Sequence, residues 1–207
     1  MKRIGLFLMC IGMQESFCAE HQIQTKEITQ KVLVWDSDGT VVGPKNPHDY
    51  NDHTKIILPG VETAMGKATF NCIISGTKTP TSQDYDPETL IPGFKDLMEK
   101  LPVTAIAFSA SKDGIDCYVL VKKSDGTIEL RKAHEDGRYE QYRGKFKKPD
   151  VGMFVVLRDV AQEYGYGIDS TTSLMIGDTT YDEQGAQNFG IPFLHATIIH
   201  EQFLKKI

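Results

Sequence analysis

The sequence predicts an α/β fold built on a doubly wound parallel sheet, with a small β insertion. Two observations predict the sheet: short apolar runs rich in β-branched residues alternate with segments of helical periodicity, and several runs end at a carboxylate, a hydroxyl or a glycine. A third observation concerns the number of domains. The chain has 207 residues, of which 40% are apolar, and this suffices for one globular domain with a sizeable core. Such sheets carry helices on both faces and form sites beyond the carboxyl ends of their strands.

The predicted strands are the apolar runs. They cover residues 31–35, 69–74, 103–108, 173–176 and 191–196. The first run, K-V-L-V-W, is typical of a strand that is buried on both faces. A β-hairpin that turns at Asp125-Gly126 is predicted inside the insertion, over about residues 110–145.

The predicted helices lie between the strands. Apolar residues recur at helical spacing over residues 86–101, 150–164 and 182–189, and a shorter helix opens near Pro59. Pro92 and Gly93 predict a break near the start of the helix over residues 86–101. Gly190 follows the last helix, at the position where a glycine commonly ends one. Residues 41–58 carry two prolines and many polar side chains, which predicts a flap.

The N-terminal residues resemble a short secretory signal in their pattern. A basic start precedes an apolar stretch over residues 4–13, and small residues follow at Ser16 and Cys18. This pattern predicts a signal peptide over residues 1–18 and a periplasmic or secreted location. An amphipathic start on a cytoplasmic protein is the alternative. The stretch is too short to span a bilayer, so no integral membrane segment is predicted.

Charge and cysteine usage argue against two classes of protein. The formal net charge of -5 lacks the basic footprint of a dedicated nucleic-acid binder. The four cysteines form no C-x-x-C pair or Cys/His cluster with zinc-site spacing, and Cys72 lies in an apolar run typical of a core. The oligomeric state is left open by the sequence.

Carboxylates stand at the ends of two predicted strands. Asp36 and Asp38 follow the first strand in V-W-D-S-D-G-T-V, and Asp178 follows a later one. Because the carboxyl ends of parallel strands lie at one edge of the sheet, these three carboxylates are expected in one cleft. Like charges held so close together require a cation, and a ligand set made only of oxygen atoms favours Mg²⁺.

A lysine pair and two serines complete the predicted cleft. Lys147 and Lys148 stand just before a predicted helix, and either could reach the cleft as a point charge suited to phosphate. Ser75 and Ser109 each end a strand, and either could offer a hydroxyl group. A carboxylate, a divalent metal, an ammonium group and a hydroxyl suit phosphoryl transfer, in which positioning and charge neutralisation supply most of the catalysis.

Four segments resemble the motifs of the haloacid dehalogenase superfamily, in the same order. D-S-D-G-T-V at residues 36–41 resembles D-x-D-G-T-[VL], and I-I-S-G at 73–76 resembles an apolar strand ending in Ser or Thr. Lys148-Pro149 matches the third motif, and G-D-T-T-Y-D at 177–182 matches G-D-x-x-x-D. K-K-P-D-V-G-M at 147–153 is similar to a segment of the branch that holds histidinol-phosphate phosphatases and polynucleotide 3′-phosphatases.

The resemblance implies a Mg²⁺-dependent phosphomonoester hydrolase that acts through an aspartyl-phosphate. Its domain would cover residues 31–200 and have no large cap. Asp36 would be the nucleophile, and Asp38 the general acid and then the general base. Ser75, whose spacing to Lys148 suits this branch better than that of Ser109, would hold the transferring phosphoryl group. Lys148 would neutralise the charge that develops on that group.

The resemblance also implies a metal set. Asp178 would bind Mg²⁺ together with the Asp36 carboxylate and the Asp38 main-chain carbonyl. Asp182 would support the metal or orient Lys148, although an acid near a helix start is favoured by the helix dipole alone.

The expected substrate is a small-molecule phosphomonoester. One alternative is a polynucleotide 3′-phosphatase in DNA repair, which the acidic charge and the predicted signal disfavour. A second alternative is a relative that binds phosphate or metal without catalysis. Transfer of the phosphoryl group to an alcohol instead of water also stays open, because both reactions use the same intermediate.

Overall fold

A computed structural model describes residues 31–45, 55–76 and 85–204 of the chain. The predicted signal peptide over residues 1–18 and the central part of the predicted flap lie outside these ranges and stay predictions. Among the described residues, no helix combines the length and the apolar character that crossing a membrane requires.

A mostly parallel sheet of seven strands forms the centre of the described part of the chain. The described residues form these strands, of which all but β2 and β3 belong to the central sheet: β1 (Val32–Asp36), β2 (Val42–Pro44), β3 (Lys55–Ile57), β4 (Phe70–Gly76), β5 (Ala105–Ser109), β6 (Tyr118–Lys122), β7 (Ile128–Lys132), β8 (Ser173–Gly177) and β9 (Phe193–His195). Their order in the central sheet is β7-β6-β5-β4-β1-β8-β9, and β2 and β3 form a separate antiparallel pair. Strands β5, β4, β1, β8 and β9 run parallel, which confirms the predicted α/β class and is consistent with a Rossmann-like fold.

Helices cover both faces of this sheet. They are α1 (Val61–Met65), α2 (Pro87–Lys100), α3 (Gly152–Glu163), α4 (Thr180–Phe189) and α5 (Ala196–Leu204). Every residue of β1 is buried, and alternate residues point to opposite faces. Val32 and Val34 belong to an apolar core that includes α3, whereas Leu33 and Trp35 belong to a second core that includes α1, α2 and α5. This two-sided burial explains why the first strand is a continuous apolar run.

The predicted break at Pro92 and Gly93 is wrong, because α2 runs through both residues. The Asp86 side chain accepts a hydrogen bond from the Glu88 backbone N–H and caps the start of the helix. The apolar face of the helix buries Ile91 and Phe94 in the second core. This packing stabilises the helix despite the backbone hydrogen bond that a proline cannot donate.

Three further details add to the sequence prediction. The two ends of the predicted flap pair as the strands β2 and β3. The predicted hairpin of the insertion is confirmed, and its strands β6 and β7 extend the central sheet beside β5. Helix α5 was not predicted, because its first turns contain the β-branched residues Thr197, Ile198 and Ile199, which disfavour a helix in isolation.

Candidate functional site

The predicted site residues lie at the carboxyl edge of the three central strands. Asp36 is the last residue of β1 and pairs in register with Ile74 of β4, one residue before Ser75. Asp178 directly follows β8, the neighbour of β1 on its other side. Parallel pairing therefore brings residues that are far apart in sequence to one edge, as sites in such sheets require.

Lys148 lies between two carboxylates of this edge. Its Nζ donates hydrogen bonds to Asp36 Oδ1 and to Asp182 Oδ1. The Lys148 and Asp36 side chains are only 9% and 10% exposed, and that of Asp182 is fully buried. Burial alone would lower the pKa of Lys148, but the charges of Asp36 and Asp182 outweigh it and raise that pKa above its ordinary value. Lys148 is therefore a fixed cation in contact with Asp36.

Lys147 borders the same cavity as Asp36 but makes a different contact. Its Nζ donates a hydrogen bond of 3.1 Å to the backbone carbonyl of Lys112. Of the two lysines that the sequence left open, the structure thus brings Lys148 to Asp36.

Asp36 carries an unusual ionisation equilibrium. Burial raises the pKa of Asp36 to about 6, the Lys148 ammonium opposes this rise, and the Asp182 and Asp178 carboxylates add to it. Three acidic side chains thus face one ammonium group at this edge. The excess of negative charge favours the binding of a further cation.

Asp182 uses both of its carboxylate oxygens. Oδ1 accepts from Lys148, while Oδ2 accepts from the Thr179 backbone N–H at 2.9 Å and from Thr179 Oγ1 at 2.6 Å. Thr179 and Asp182 form the capping box at the start of α4. Burial opposes the ionisation of Asp182, but Lys148 and Thr179 outweigh it and hold its pKa below the ordinary value. Asp182 thus caps the start of α4 and also contacts Lys148, so it has both the structural role and the orienting role that the sequence allowed.

Gly177 allows Asp182 to approach the end of β8. A Cβ on Gly177 would lie 2.4 Å from the Asp182 Cβ, closer than real contacts permit. This close approach explains the glycine in G-D-T-T-Y-D by packing alone.

Asp178 has the features of a metal ligand. One carboxylate oxygen from each of Asp36, Asp178 and Asp182 lies within 4.8 Å of the other two. Asp178 Oδ1 is buried and has no hydrogen-bond partner among the described residues. A buried carboxylate oxygen without a partner is costly, and a ligand set made only of carboxylates suits a hard divalent cation such as Mg²⁺. The residues present therefore fit the predicted metal.

Asp38 is the exposed acid of the group. Its side chain is 60% exposed and forms an ion pair with Lys55 of β3. A tight turn supports it, in which the backbone N–H groups of Val41 and Val42 both donate to the Ser37 carbonyl. Lys55 was not identified from the sequence, because the pairing of β2 with β3 that brings it to Asp38 leaves no motif in the chain.

Ser75, not Ser109, lines the cleft at Asp36. Ser75 is buried, and it borders a cavity of about 260 Å³ together with Asp36, Asp38 and Lys148. Ser109 Oγ instead donates a hydrogen bond of 2.7 Å to Asp116 Oδ1. Tyr181, whose side chain is largely exposed, lies at the same cleft.

Comparison of the chain with models of protein families finds no match, and comparison with curated proteins finds none.

Proposed function

We propose that the protein is a Mg²⁺-dependent phosphomonoester hydrolase with a haloacid dehalogenase type of fold, acting through an aspartyl-phosphate. One observation carries the proposal: the Lys148 ammonium bridges Asp36 and Asp182 at the carboxyl edge of the sheet, with the Asp178 carboxylate beside them. This combination suits phosphoryl transfer, because positioning and charge neutralisation supply most of its catalysis.

In the first step, a carboxylate oxygen of Asp36 attacks the phosphorus atom of the substrate. The ester P–O bond breaks, and Asp38 gives its proton to the departing oxygen, so that an alcohol leaves and Asp36 carries the phosphoryl group. Lys148 lies within hydrogen-bonding reach of Asp36 and offsets negative charge on the transferring group. Ser75 lines the same cleft and offers its hydroxyl group.

In the second step, water attacks the phosphorus atom. Asp38, now ionised, accepts a proton from that water, the P–O bond to Asp36 breaks, and phosphate leaves. Lys55 of β3 pairs with Asp38 at this side of the cleft. An alcohol in place of water would make the same chemistry a phosphotransfer.

Asp36 and Asp178 would hold the metal. Asp182 lies next to them, but its oxygens already accept from Lys148 and Thr179. Bound Mg²⁺ supplies positive charge to the phosphoryl oxygens and to the carboxylates that surround them.

A phosphatase screen with and without Mg²⁺ tests the proposal. The substrates are small phosphate esters and an oligonucleotide with a 3′-phosphate, and Asp36→Asn is the control variant. We expect phosphate release that needs Mg²⁺ and is lost in Asp36→Asn, with a phosphoryl group on Asp36 in acid-quenched wild-type protein by mass spectrometry. Turnover that survives in Asp36→Asn contradicts the mechanism.

The same screen separates the alternatives. Release from the oligonucleotide alone indicates a polynucleotide 3′-phosphatase. Mg²⁺ binding without any turnover, detected as a shift in melting temperature, indicates a non-catalytic relative. The export prediction is tested separately, because it requires a mature N-terminus after residue 18.

A further inference from the structure

A second cavity adjoins the catalytic cleft. It has a volume of about 500 Å³ and lies between helix α2 and the β2–β3 hairpin. Asp38 and Ser75 line both cavities, so the two adjoin at these residues. The wall of the second cavity, called the α2 pocket below, is mainly apolar; its apolar members are Val42, Ile56, Ile57, Leu90, Phe94 and Leu97.

We propose that the α2 pocket binds an apolar alkyl leaving group of the phosphate ester. This inference rests on the proposed function, in which Asp38 protonates the oxygen of the leaving group. Asp38 stands at the boundary of the two cavities. A phosphoryl group next to Asp36 and an ester oxygen next to Asp38 therefore direct the rest of the substrate into the α2 pocket.

Among the described residues, the charged groups on the pocket wall are paired with each other. Lys55 pairs with Asp38, and Lys100 lies 2.7 Å from Asp96. Thr89 Oγ1 donates to the backbone carbonyl of Asp86 at 2.7 Å. A leaving group rich in hydroxyls would lose its hydrogen bonds to water and find few replacements, whereas an alkyl chain gains from the removal of its surface from water.

Gly93 gives a way to fill the pocket without disturbing the helix. Gly93 lines the pocket from within α2, and a Cβ at this position would meet nothing within 4 Å. Leucine has a higher helix propensity than glycine, so Gly93→Leu should fold. Lys95 is exposed on the same helix and does not line the pocket, so Lys95→Leu is the matched control.

The experiment compares hydrolysis of hexyl phosphate, ethyl phosphate and glycerol 1-phosphate. All three are esters of primary alcohols, so their intrinsic reactivities are similar. We expect kcat/KM for hexyl phosphate to exceed the other two by at least about tenfold. In Gly93→Leu the ratio of hexyl to ethyl phosphate should fall to near one, and in Lys95→Leu it should stay at the wild-type value. Equal rates for all three esters in the wild-type protein, or a ratio unchanged by Gly93→Leu, overturn the inference.

A binding measurement separates failure of the inference from failure of the proposed function. Calorimetric titration of Asp36→Asn with hexyl and ethyl phosphate needs no turnover. If no ester is hydrolysed by the wild-type protein, the hydrolase is excluded. In that case the inference of an apolar ligand is still supported if Asp36→Asn binds hexyl phosphate more tightly than ethyl phosphate and the double variant Asp36→Asn/Gly93→Leu does not. Equal binding of the two esters by Asp36→Asn overturns the inference.

Discussion

Gly39 and Asp178 are in direct contact across the candidate site. Gly39 has a φ of 84°, and a Cβ built on it would lie 2.2 Å from Asp178 Oδ2. The glycine of D-S-D-G-T-V is therefore required twice, once by the backbone conformation and once by the proximity of a carboxylate. The contact joins the segment D-S-D-G-T-V to the segment G-D-T-T-Y-D, so a side chain at position 39 should displace the Asp178 carboxylate.

We predict that Mg²⁺ raises the melting temperature of the wild-type protein, and that Gly39→Ala displaces the Asp178 carboxylate and abolishes this rise. The variant should also lose about 1–2 kcal/mol of unfolding free energy, because alanine is strained at a positive φ. Gly126→Ala is the matched control, since Gly126 has the same φ of 84° and open space around it. Gly126→Ala should show a similar loss of stability and a full response to Mg²⁺. Equal responses to Mg²⁺ in the two variants would refute the link between Gly39 and the metal site.

A second prediction concerns the Lys148 bridge. Replacing Lys148 with methionine leaves the Asp36 and Asp182 carboxylates buried without a counter-charge. We expect Lys148→Met to lower the free energy of unfolding by about 3–5 kcal/mol in buffer with EDTA near neutral pH. Lys147→Met is the control and should change that free energy by less than about 1 kcal/mol, because Lys147 donates only to a backbone carbonyl. Similar losses in both variants, measured by urea unfolding, would contradict the bridge.

The loss in Lys148→Met should also depend on pH. Burial raises the pKa of Asp36 to about 6 even with Lys148 present, so the folded protein binds a proton at Asp36 more tightly than the unfolded chain. A raised carboxyl pKa lowers stability as the pH rises through it, and removal of Lys148 raises that pKa further. The difference in unfolding free energy between the wild-type protein and Lys148→Met should therefore shrink as the pH is lowered from 7 toward 5. A difference that grows on acidification would contradict this assignment.

The sequence predicted the carboxyl-edge cluster because parallel strands converge there by geometry. The run V-L-V-W-D marks a strand buried on both faces, and its terminal acid must then lie beside the acid that follows β8. The position of the two lysines before a helix left Lys147 and Lys148 open, and the resemblance named Lys148, which the structure brings to Asp36. Lys55 and the α2 pocket could not be predicted, because both arise from the pairing of β2 with β3 across an intervening polar stretch without a motif.

Pro92 shows the opposite case, in which a strong local rule loses to packing. The rule predicts a broken helix, but the apolar face that includes Phe94 is buried in the second core. Local propensity amounts to a few kcal/mol at most, and burial of several large side chains exceeds it.

A third prediction concerns Asn71, which holds Trp35 beside Asp36. Asn71 Oδ1 accepts from Trp35 Nε1 at 3.2 Å, and its Nδ2 donates to the carbonyls of Met65 and Pro102 at 3.0 and 3.1 Å. Asn71→Ala removes the partner of Trp35 Nε1 and the Asn71 donor to the Pro102 carbonyl, while the Met65 carbonyl still accepts from the Ala68 backbone N–H. The variant should cost about 2–4 kcal/mol of unfolding free energy. Urea unfolding followed by the fluorescence of Trp35, the one tryptophan of the chain, measures the loss.

The control for Asn71 is an asparagine on the surface. Asn188 Nδ2 donates to the Pro149 carbonyl at 3.1 Å, and Asn188 is exposed. Because water can replace this bond, Asn188→Ala should cost less than about 1 kcal/mol. Equal costs at the two positions would show that the Asn71 network contributes nothing beyond an exposed hydrogen bond.

A fourth prediction separates the chemical role of Asp38 from its ion pair with Lys55. If Asp38 protonates the leaving group, Asp38→Asn should lower kcat for ethyl phosphate by about 100-fold or more. With 4-nitrophenyl phosphate, the same variant should lower the rate of the first step much less, because nitrophenolate leaves without a proton. Single-turnover kinetics measure the rate of that step. Lys55→Met removes only the ion-pair partner of Asp38. Because both side chains of this pair are more than half exposed, the unfolding free energy of the Lys55→Met variant should differ from that of the wild-type protein by less than about 1 kcal/mol. Equal losses of the first-step rate for the two esters in Asp38→Asn would assign Asp38 to substrate binding instead of proton transfer, and a wild-type rate would remove it from the reaction.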